Sequence, residues 1–215
     1  MITTGNKKFQ VLDQSWHNGG GTWFGQEYIE VIKQRYPGRK FGTCLEWCSG
    51  PGYIGYNILD HGLCNNLCLI DKFAEAIEFA QQTAKKNFTN QVSFYVTDTL
   101  SVLPESEKFD LVVANPPHYL ECPGDENYQR IAVDINWQAH QDFYQHIGKH
   151  LGPDGMILMQ ENQAGSLGGC EDFRHMIENN ALAITDTFVS PNFYNQPGPW
   201  AQIYYIEIAK RTNRS

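Results

Sequence analysis

The run Asp110-Leu111-Val112-Val113-Ala114-Asn115-Pro116-Pro117-His118-Tyr119 carries the most distinctive chemistry of this 215-residue chain. Two consecutive prolines stiffen the backbone after an apolar strand and keep nearby carbonyls out of helix or sheet bonding. The Asn115 side-chain oxygen and the Pro116 carbonyl then make a pair of acceptors for both hydrogens of an N–H2 group. Pinned in this way, an amide or aromatic amine turns its lone pair outward, toward an electrophile. The ring that follows, His118 or Tyr119, is placed to stack on the planar group. Such a site works by positioning and electrostatics and needs neither a nucleophile nor a basic triad. A plain Pro-Pro loop would explain the prolines, but not their place in the series that follows.

A second run, Glu46-Trp47-Cys48-Ser49-Gly50-Pro51-Gly52-Tyr53-Ile54-Gly55, puts glycines at a strand-to-helix turn. Residues without a Cβ let the backbone pass tightly against a ligand. The glycine pattern alone suits a nicotinamide-dependent oxidoreductase equally well. Glu46, four residues before the first glycine, tips the balance: it would repel a pyrophosphate and draw a cationic amino-acid moiety, directly or through water. Asp71, 21 residues after Gly50, closes the next strand, where a carboxylate can accept both hydroxyls of a ribose. Asp98 follows the third strand and is placed to accept an adenine amino group. Cys48, Lys72 and Thr99 adjoin these positions.

Together the four stretches resemble the motif series of the class I S-adenosylmethionine-dependent methyltransferases, over roughly Gly42 to the end of the chain's last strands. The Asn-Pro-Pro element is similar to that of the amino-methyltransferase branch: protein-glutamine N5-methyltransferases (HemK-like), DNA adenine methyltransferases and several RNA enzymes. The HemK-like group fits best in motif order and spacing. The resemblance implies S-adenosyl-L-methionine as cofactor, held by Glu46, Cys48, Gly50, Gly52, Asp71, Lys72, Asp98, Thr99 and Asn115. It also implies a catalytic set of Asn115, Pro116, His118 and Tyr119 around the target nitrogen. The expected reaction is N-methylation of an amide or amino group on a small molecule or protein side chain. An RNA or DNA base is the alternative, and a nicotinamide-dependent oxidoreductase stands third. Two departures bear on the acceptor. His118 occupies the place where the branch carries Tyr, Phe or Trp, and only about 40 residues precede the first strand of the core. Release-factor enzymes carry a sizeable helical domain there, which points away from that substrate.

Positioning these residues falls to alternating strands and helices. Tyr28, Ile32 and Tyr36 recur at four-residue spacing, which predicts a helix over 25–36, stopped by Pro37-Gly38. Strands are expected at 43–47, 67–70, 92–96, 109–114 and 156–160, with helices at 54–60, 74–87, 137–151 and 173–180. The runs 181–189 and 201–209 have no helix between them and should pair as an antiparallel hairpin. Five β-α units and that hairpin predict an α/β, Rossmann-like fold: a mostly parallel seven-stranded sheet with helices on both faces. Ligands of such sheets sit outside the carboxyl ends of the strands, where the motif residues fall. A single domain is expected, with 1–40 as an arm and helix and 41–215 as the catalytic core.

Bulk composition narrows the function classes. No apolar run approaches the length needed to cross a bilayer and the first ten residues are polar, which predicts a cytoplasmic protein. A formal charge of −8 argues against a large polyanionic partner, and Lys33, Arg35, Arg39 and Lys40 read as a solvated helix end. The six cysteines lack clean metal-ligand spacing and read as reduced structural thiols, with no metal expected. His140, His146 and His150 do not share one helix face and read as satisfied histidines. Trp23, Phe24, Gln26 and Glu27 suit either a cover over the cofactor or ordinary packing. Glu161-Asn162 and the segment Asn192 to Trp200, including Phe193 and Tyr194, are placed to line a substrate mouth.

Overall fold

A computed structural model describes residues 2–4, 7–9, 21–88, 90–124, 126–194 and 202–211. The chain gathers into two compact units, Met1–Asp98 and Thr99–Ser215.

The first unit opens with two short strands, β1 (Ile2–Thr4) and β2 (Lys7–Phe9), paired antiparallel with Ile2 opposite Phe9. The expected arm thus contains a short ladder; His17 to Gly20 lie outside the described residues. Helix α1 (Gly21–Arg35) buries Phe24, Tyr28, Ile29 and Ile32. Lys33 and Arg35 stand in its last turn, where cations complement the helix dipole. Strands β3 (Phe41–Trp47), β4 (Cys64–Asp71) and β5 (Val92–Val96) pair in parallel in the order β5-β4-β3. Helix α2 (Tyr53–Asp60) joins β3 to β4, and α3 (Ala74–Asn87) joins β4 to β5. The register sets Trp47 opposite Ile70 and Asp71 opposite Val96, so the carboxyl ends of the three strands finish level. β4 is apolar from Leu67 to Ile70 because both of its faces are covered. No helix is expected between the strands at 92–96 and 109–114, and a three-residue 3-10 turn at Leu100–Val102 lies there.

The second unit is built on β6 (Phe109–Ala114), β7 (Leu151–Asn162), β8 (Leu182–Tyr194) and β9 (Gln202–Lys210), in the order β6-β7-β9-β8. β6 and β7 run parallel; β7–β9 and β9–β8 run antiparallel, which gives the expected terminal hairpin. With β3 to β5 these make the expected seven strands. Helices α4 (Glu126–Ala132), α5 (Gln138–His150) and α6 (Glu171–Glu178) complete the unit. α5 turns His140, Phe143, Tyr144, Ile147 and His150 inward, an i, i+3, i+4, i+7 stripe with two histidines in it. β7 follows α5 directly and is much longer than its apolar centre. Its last residues, Gln160, Glu161 and Asn162, are polar yet fully buried. Buried polar groups generally need partners, and Glu161 and Asn162 find theirs among the candidate site residues.

Candidate active site

In the first unit the site is a glycine turn and two carboxylates. Cys48, Gly50 and Gly52 take φ values of 54°, 51° and 88°, so the backbone folds back on itself within five residues. Gly52 caps α2 in the left-handed conformation, where a side chain would be strained and would press on Leu69 and Tyr56. The Glu46 carboxylate lies under this turn, accepting the amide hydrogens of Ile54 at 3.3 Å and Gly55 at 2.7 Å. A Cβ at Gly55 would stand 2.8 Å from Glu46 Oε2, so the third glycine of the motif is what admits the carboxylate. Burial pushes the Glu46 carboxyl up to about 8, against the pull of the two amides. Glu46 therefore braces the start of α2.

Asp71, 8% exposed, ends β4 with Oδ2 accepting the Gly50 amide at 2.7 Å and Oδ1 accepting the Phe73 amide at 2.9 Å. Burial raises its pKa, and the two amides and Lys72 offset part of that. Each carboxylate oxygen keeps a further lone pair, so Asp71 can still accept ribose hydroxyls while it fixes the turn. Lys72 is exposed, with its ammonium 5.1 Å from the Phe73 ring centre, and Asp98 is exposed just past β5. A left-handed turn with open backbone beside a buried carboxylate fits an adenosine-bearing ligand. Along α1, Phe24 and Glu27 are buried while Trp23 and Gln26 face solvent.

Thr99 opens the second unit. Its hydroxyl donates to Asp142 at 2.7 Å and accepts the Ser101 amide at 3.1 Å, which caps the short turn after β5. Within the second unit the candidate residues gather at the end of β6. Pro116 is buried, and Asn115, Pro117 and Tyr119 are partly exposed. His118 is only 6% exposed, with Nε2 at 2.8 Å from Asn115 Oδ1 and Nδ1 at 3.3 Å from Glu161 Oε2. Glu161 Oε1 meets His140 Nε2 at 2.9 Å, and His140 Nδ1 meets Asp134 Oδ2 at 2.7 Å. Asp134 also accepts the Ala139 and His140 amides, which anchors the start of α5 after the left-handed residues Asn136 and Trp137. Tyr119 is held separately: its hydroxyl accepts from Asn162 Nδ2 at 3.1 Å, and its backbone pairs with Ala132 and Asp134. Gly165 lets this turn close, because a Cβ there would lie 1.7 Å from the His118 carbonyl oxygen.

Charges along this line are set by one another. Burial would lower the His140 imidazole, but Glu161 and Asp134 on its two nitrogens overcome that and lift it to about 9. Burial would raise Asp134 and Glu161, and the His140 cation holds both below the ordinary carboxylate range. Burial, with Tyr128 and Cys122 nearby, pushes the Tyr119 phenol up to about 12. Sequence reasoning did not find Asp134, and it left His140 as a satisfied histidine without its partners. The available signal was His118 itself, a polar ring in an aromatic's place, together with Glu161 at a strand end. Phe193 and Tyr194 lie on β8, and Trp200 lies outside the described residues. All six cysteines are free thiols.

Comparison with known proteins fits this arrangement. Residues 40–205 match the family described as "Methyltransferase domain". A release factor glutamine methyltransferase of Koribacter versatilis is 26% identical over 145 residues, covering 63% of this chain and 51% of the relative. A tRNA1(Val) (adenine(37)-N6)-methyltransferase of Parabacteroides distasonis is 32% identical over 95 residues, covering 42% of this chain and 39% of the relative. The chain thus spans about half the length of the first and less of the second. An S-adenosylmethionine-dependent methyltransferase from Clostridium acetobutylicum shares the fold, with a TM-score of 0.60 at 12% identity over 93% of this chain and 94% of that one. Among the described residues no helix is long and apolar enough to cross a membrane. The family match covers far more than half of the sequence and the seven strands follow the expected design. The chain belongs to the methyltransferase-domain family and has a Rossmann-like fold.

Proposed function

We propose that the chain methylates a planar amide or amino nitrogen on a small molecule or protein side chain, as a single cytoplasmic methyltransferase domain. The observation that carries this reading is Asn115: a partly exposed amide at a rigid Pro-Pro turn, held by a buried ring behind it. In this reading Asn115 and the Pro116 carbonyl take the two hydrogens of the acceptor, leaving its lone pair free to attack. Tyr119 is the stacking ring, since His118 is buried with both nitrogens engaged. Glu46 and Asp71 keep the glycine turn in shape, and Cys48, Gly50, Gly52, Asp71, Lys72, Asp98 and Thr99 are the positions from which the cofactor would be held. S-adenosylmethionine supplies an electrophilic sulfonium methyl. The nitrogen gains that methyl, the sulfonium becomes a thioether, and the nitrogen releases one proton. Fixing the acceptor nitrogen in line is the protein's main contribution, an effect worth on the order of 7 kcal/mol where alignment is good.

Charge supports a small or protein acceptor. The second unit, which holds Asn115, has 15 acidic and 7 basic residues and so carries the whole formal charge of −8; the first has nine of each. A phosphate backbone would meet net repulsion on that unit. The similarity to an adenine N6-methyltransferase favours a nucleic-acid base as the second reading. Labelled methyl transfer from S-adenosylmethionine decides between them when total RNA, denatured DNA, a protein extract and a low-molecular-weight extract are offered separately. Nitrogen-linked label in either of the last two supports the proposal, and label confined to nucleic acid overturns it.

A further inference from the structure

Asn162 ends β7 wholly buried, so its side chain is closed to any methyl acceptor. Both ends of its amide are engaged. Oδ1 accepts the Ala164 amide hydrogen at 2.9 Å, and Nδ2 lies 3.1 Å from the Tyr119 hydroxyl, 43 residues earlier in the chain. The first contact fixes the direction of the amide, because a backbone N–H only donates and so must face the oxygen. Nδ2 therefore donates, and the Tyr119 hydroxyl is the acceptor of that bond.

The same residue builds the turn on which the ring lies. Its carbonyl accepts from the Gly165 and Ser166 amides at 3.0 and 3.1 Å and from the Ser166 hydroxyl at 3.1 Å. That hydroxyl also meets the Tyr204 hydroxyl at 2.8 Å. Gly165 approaches the ring so closely that a Cβ there would stand 3.0 Å from Tyr119 Cδ1. The Tyr119 main chain is bound on both sides, its N–H to the Ala132 carbonyl at 3.0 Å and its own carbonyl to the Asp134 amide at 2.7 Å. The ring is thus held at its hydroxyl, along one edge and at its backbone.

We infer that Asn162 is a positioning residue for the methyl acceptor: without touching it, Asn162 locks the partly exposed Tyr119 ring in one orientation, ready to stack. This inference rests on the nitrogen-acceptor reading above, in which Tyr119 is the stacking ring. A loose ring would be ordered only when the acceptor binds, and that loss of side-chain freedom would weaken binding. With Asn162 in place the ordering is complete once the chain folds. Phenylalanine would offer the same stacking face, so what the tyrosine adds is the handle that Asn162 holds. An asparagine that only closed its own turn would do so through Ala164, Gly165 and Ser166 and would have no use for the contact to Tyr119.

Asn162→Ser separates these two roles. A serine hydroxyl can accept the Ala164 amide in the same kind of turn but is too short to reach Tyr119. Tyr119→Phe removes the bond from its other side and leaves residue 162 as it is. The probe is 4-fluorobenzamide, a planar primary amide, titrated into the full chain saturated with S-adenosylhomocysteine and followed by its own 19F signal. Its affinity should fall about three- to tenfold in Asn162→Ser and by a similar factor in Tyr119→Phe, the range for one hydrogen bond. The double variant should lose no more than either single one, since both break the same bond. With 13C-labelled tyrosine rings, the Tyr119 signal, assigned through Tyr119→Phe, should report a more mobile ring in Asn162→Ser. Affinity for S-adenosylhomocysteine should stay within about twofold in each variant. Losses that multiply in the double variant, or probe affinity and a Tyr119 signal unchanged in Asn162→Ser, overturn the inference. Should Asn162→Ser not fold, wild-type probe affinity in Tyr119→Phe overturns it alone. Probe binding that is absent, or indifferent to both Tyr119→Ala and Asn115→Ala, would instead overturn the reading beneath it.

Discussion

Replacing His140 by Gln should flatten the pH dependence of stability that this residue imposes. His140 is wholly buried between Asp134 and Glu161, and its imidazole is lifted from an ordinary 6.5 to about 9. A shift of that size corresponds to about 3 kcal/mol of preference for the charged ring in the folded state. Because the folded value lies above the unfolded one, the stabilisation is complete below about 6.5 and disappears as pH rises through about 9. Removing the cation leaves two buried carboxylates without it, so His140→Gln should be less stable by about 3–5 kcal/mol near pH 6.5. Urea unfolding followed by circular dichroism at about pH 6, 7.5 and 9.5 measures the gap between wild type and variant. It should narrow by about 3 kcal/mol across that range. Glu46 imposes a slope of the same sign: burial raises its carboxyl from 4.5 to about 8, so stability falls between those values. That slope is present in both proteins and cancels in the difference. A gap that stays constant, or widens toward alkaline pH, would refute a cationic His140.

Other substitutions separate the parts of the site. Asp71→Asn keeps one acceptor oxygen where the carboxylate serves both Gly50 and Phe73, so S-adenosylhomocysteine affinity by calorimetry should fall about 10- to 100-fold, roughly 1.4–2.8 kcal/mol. Gly55→Ala puts a Cβ 2.6 Å from Leu67 Cδ1 and 2.8 Å from Glu46 Oε2, and should lower stability by about 1–3 kcal/mol in thermal unfolding. Gly165→Ala sets a Cβ against a backbone oxygen that cannot swing away, so the loss should exceed that of Gly55→Ala. Equal or smaller loss at 165 would show that the turn over His118 is looser than described.

Most of the scaffold was legible because its elements are punctuated in the sequence. α3, β5 and β6 have the bounds read from the sequence, each marked off by turn residues, a short apolar run or the Asn-Pro-Pro stop. β7 was read at its apolar centre, 156–160, whereas it spans Leu151–Asn162. Its polar ends are stabilised by partners far along the chain, as with Asn162 and Tyr119, 43 residues apart. α4 carries little apolar periodicity, and the β1–β2 ladder is only three residues long on each side. The motif glycines were legible as a turn, but the use of Gly55 to admit Glu46 was not, since it depends on how β3 passes beneath α2. The line from Asp134 to Asn115 joins residues up to 43 positions apart, and no local spacing encodes it.

Asn115→Ala tests the central claim most directly, with cofactor binding and turnover measured on the same preparation. Removing the amide should lower kcat by about 100-fold or more, in line with deleting a group that positions the reacting atom. S-adenosylhomocysteine affinity should stay within about twofold, because the turn proposed to hold it is built by Gly50, Gly52 and Asp71. Wild-type turnover in the variant, or loss of cofactor binding in step with turnover, would contradict the assignment of Asn115 to the methyl acceptor.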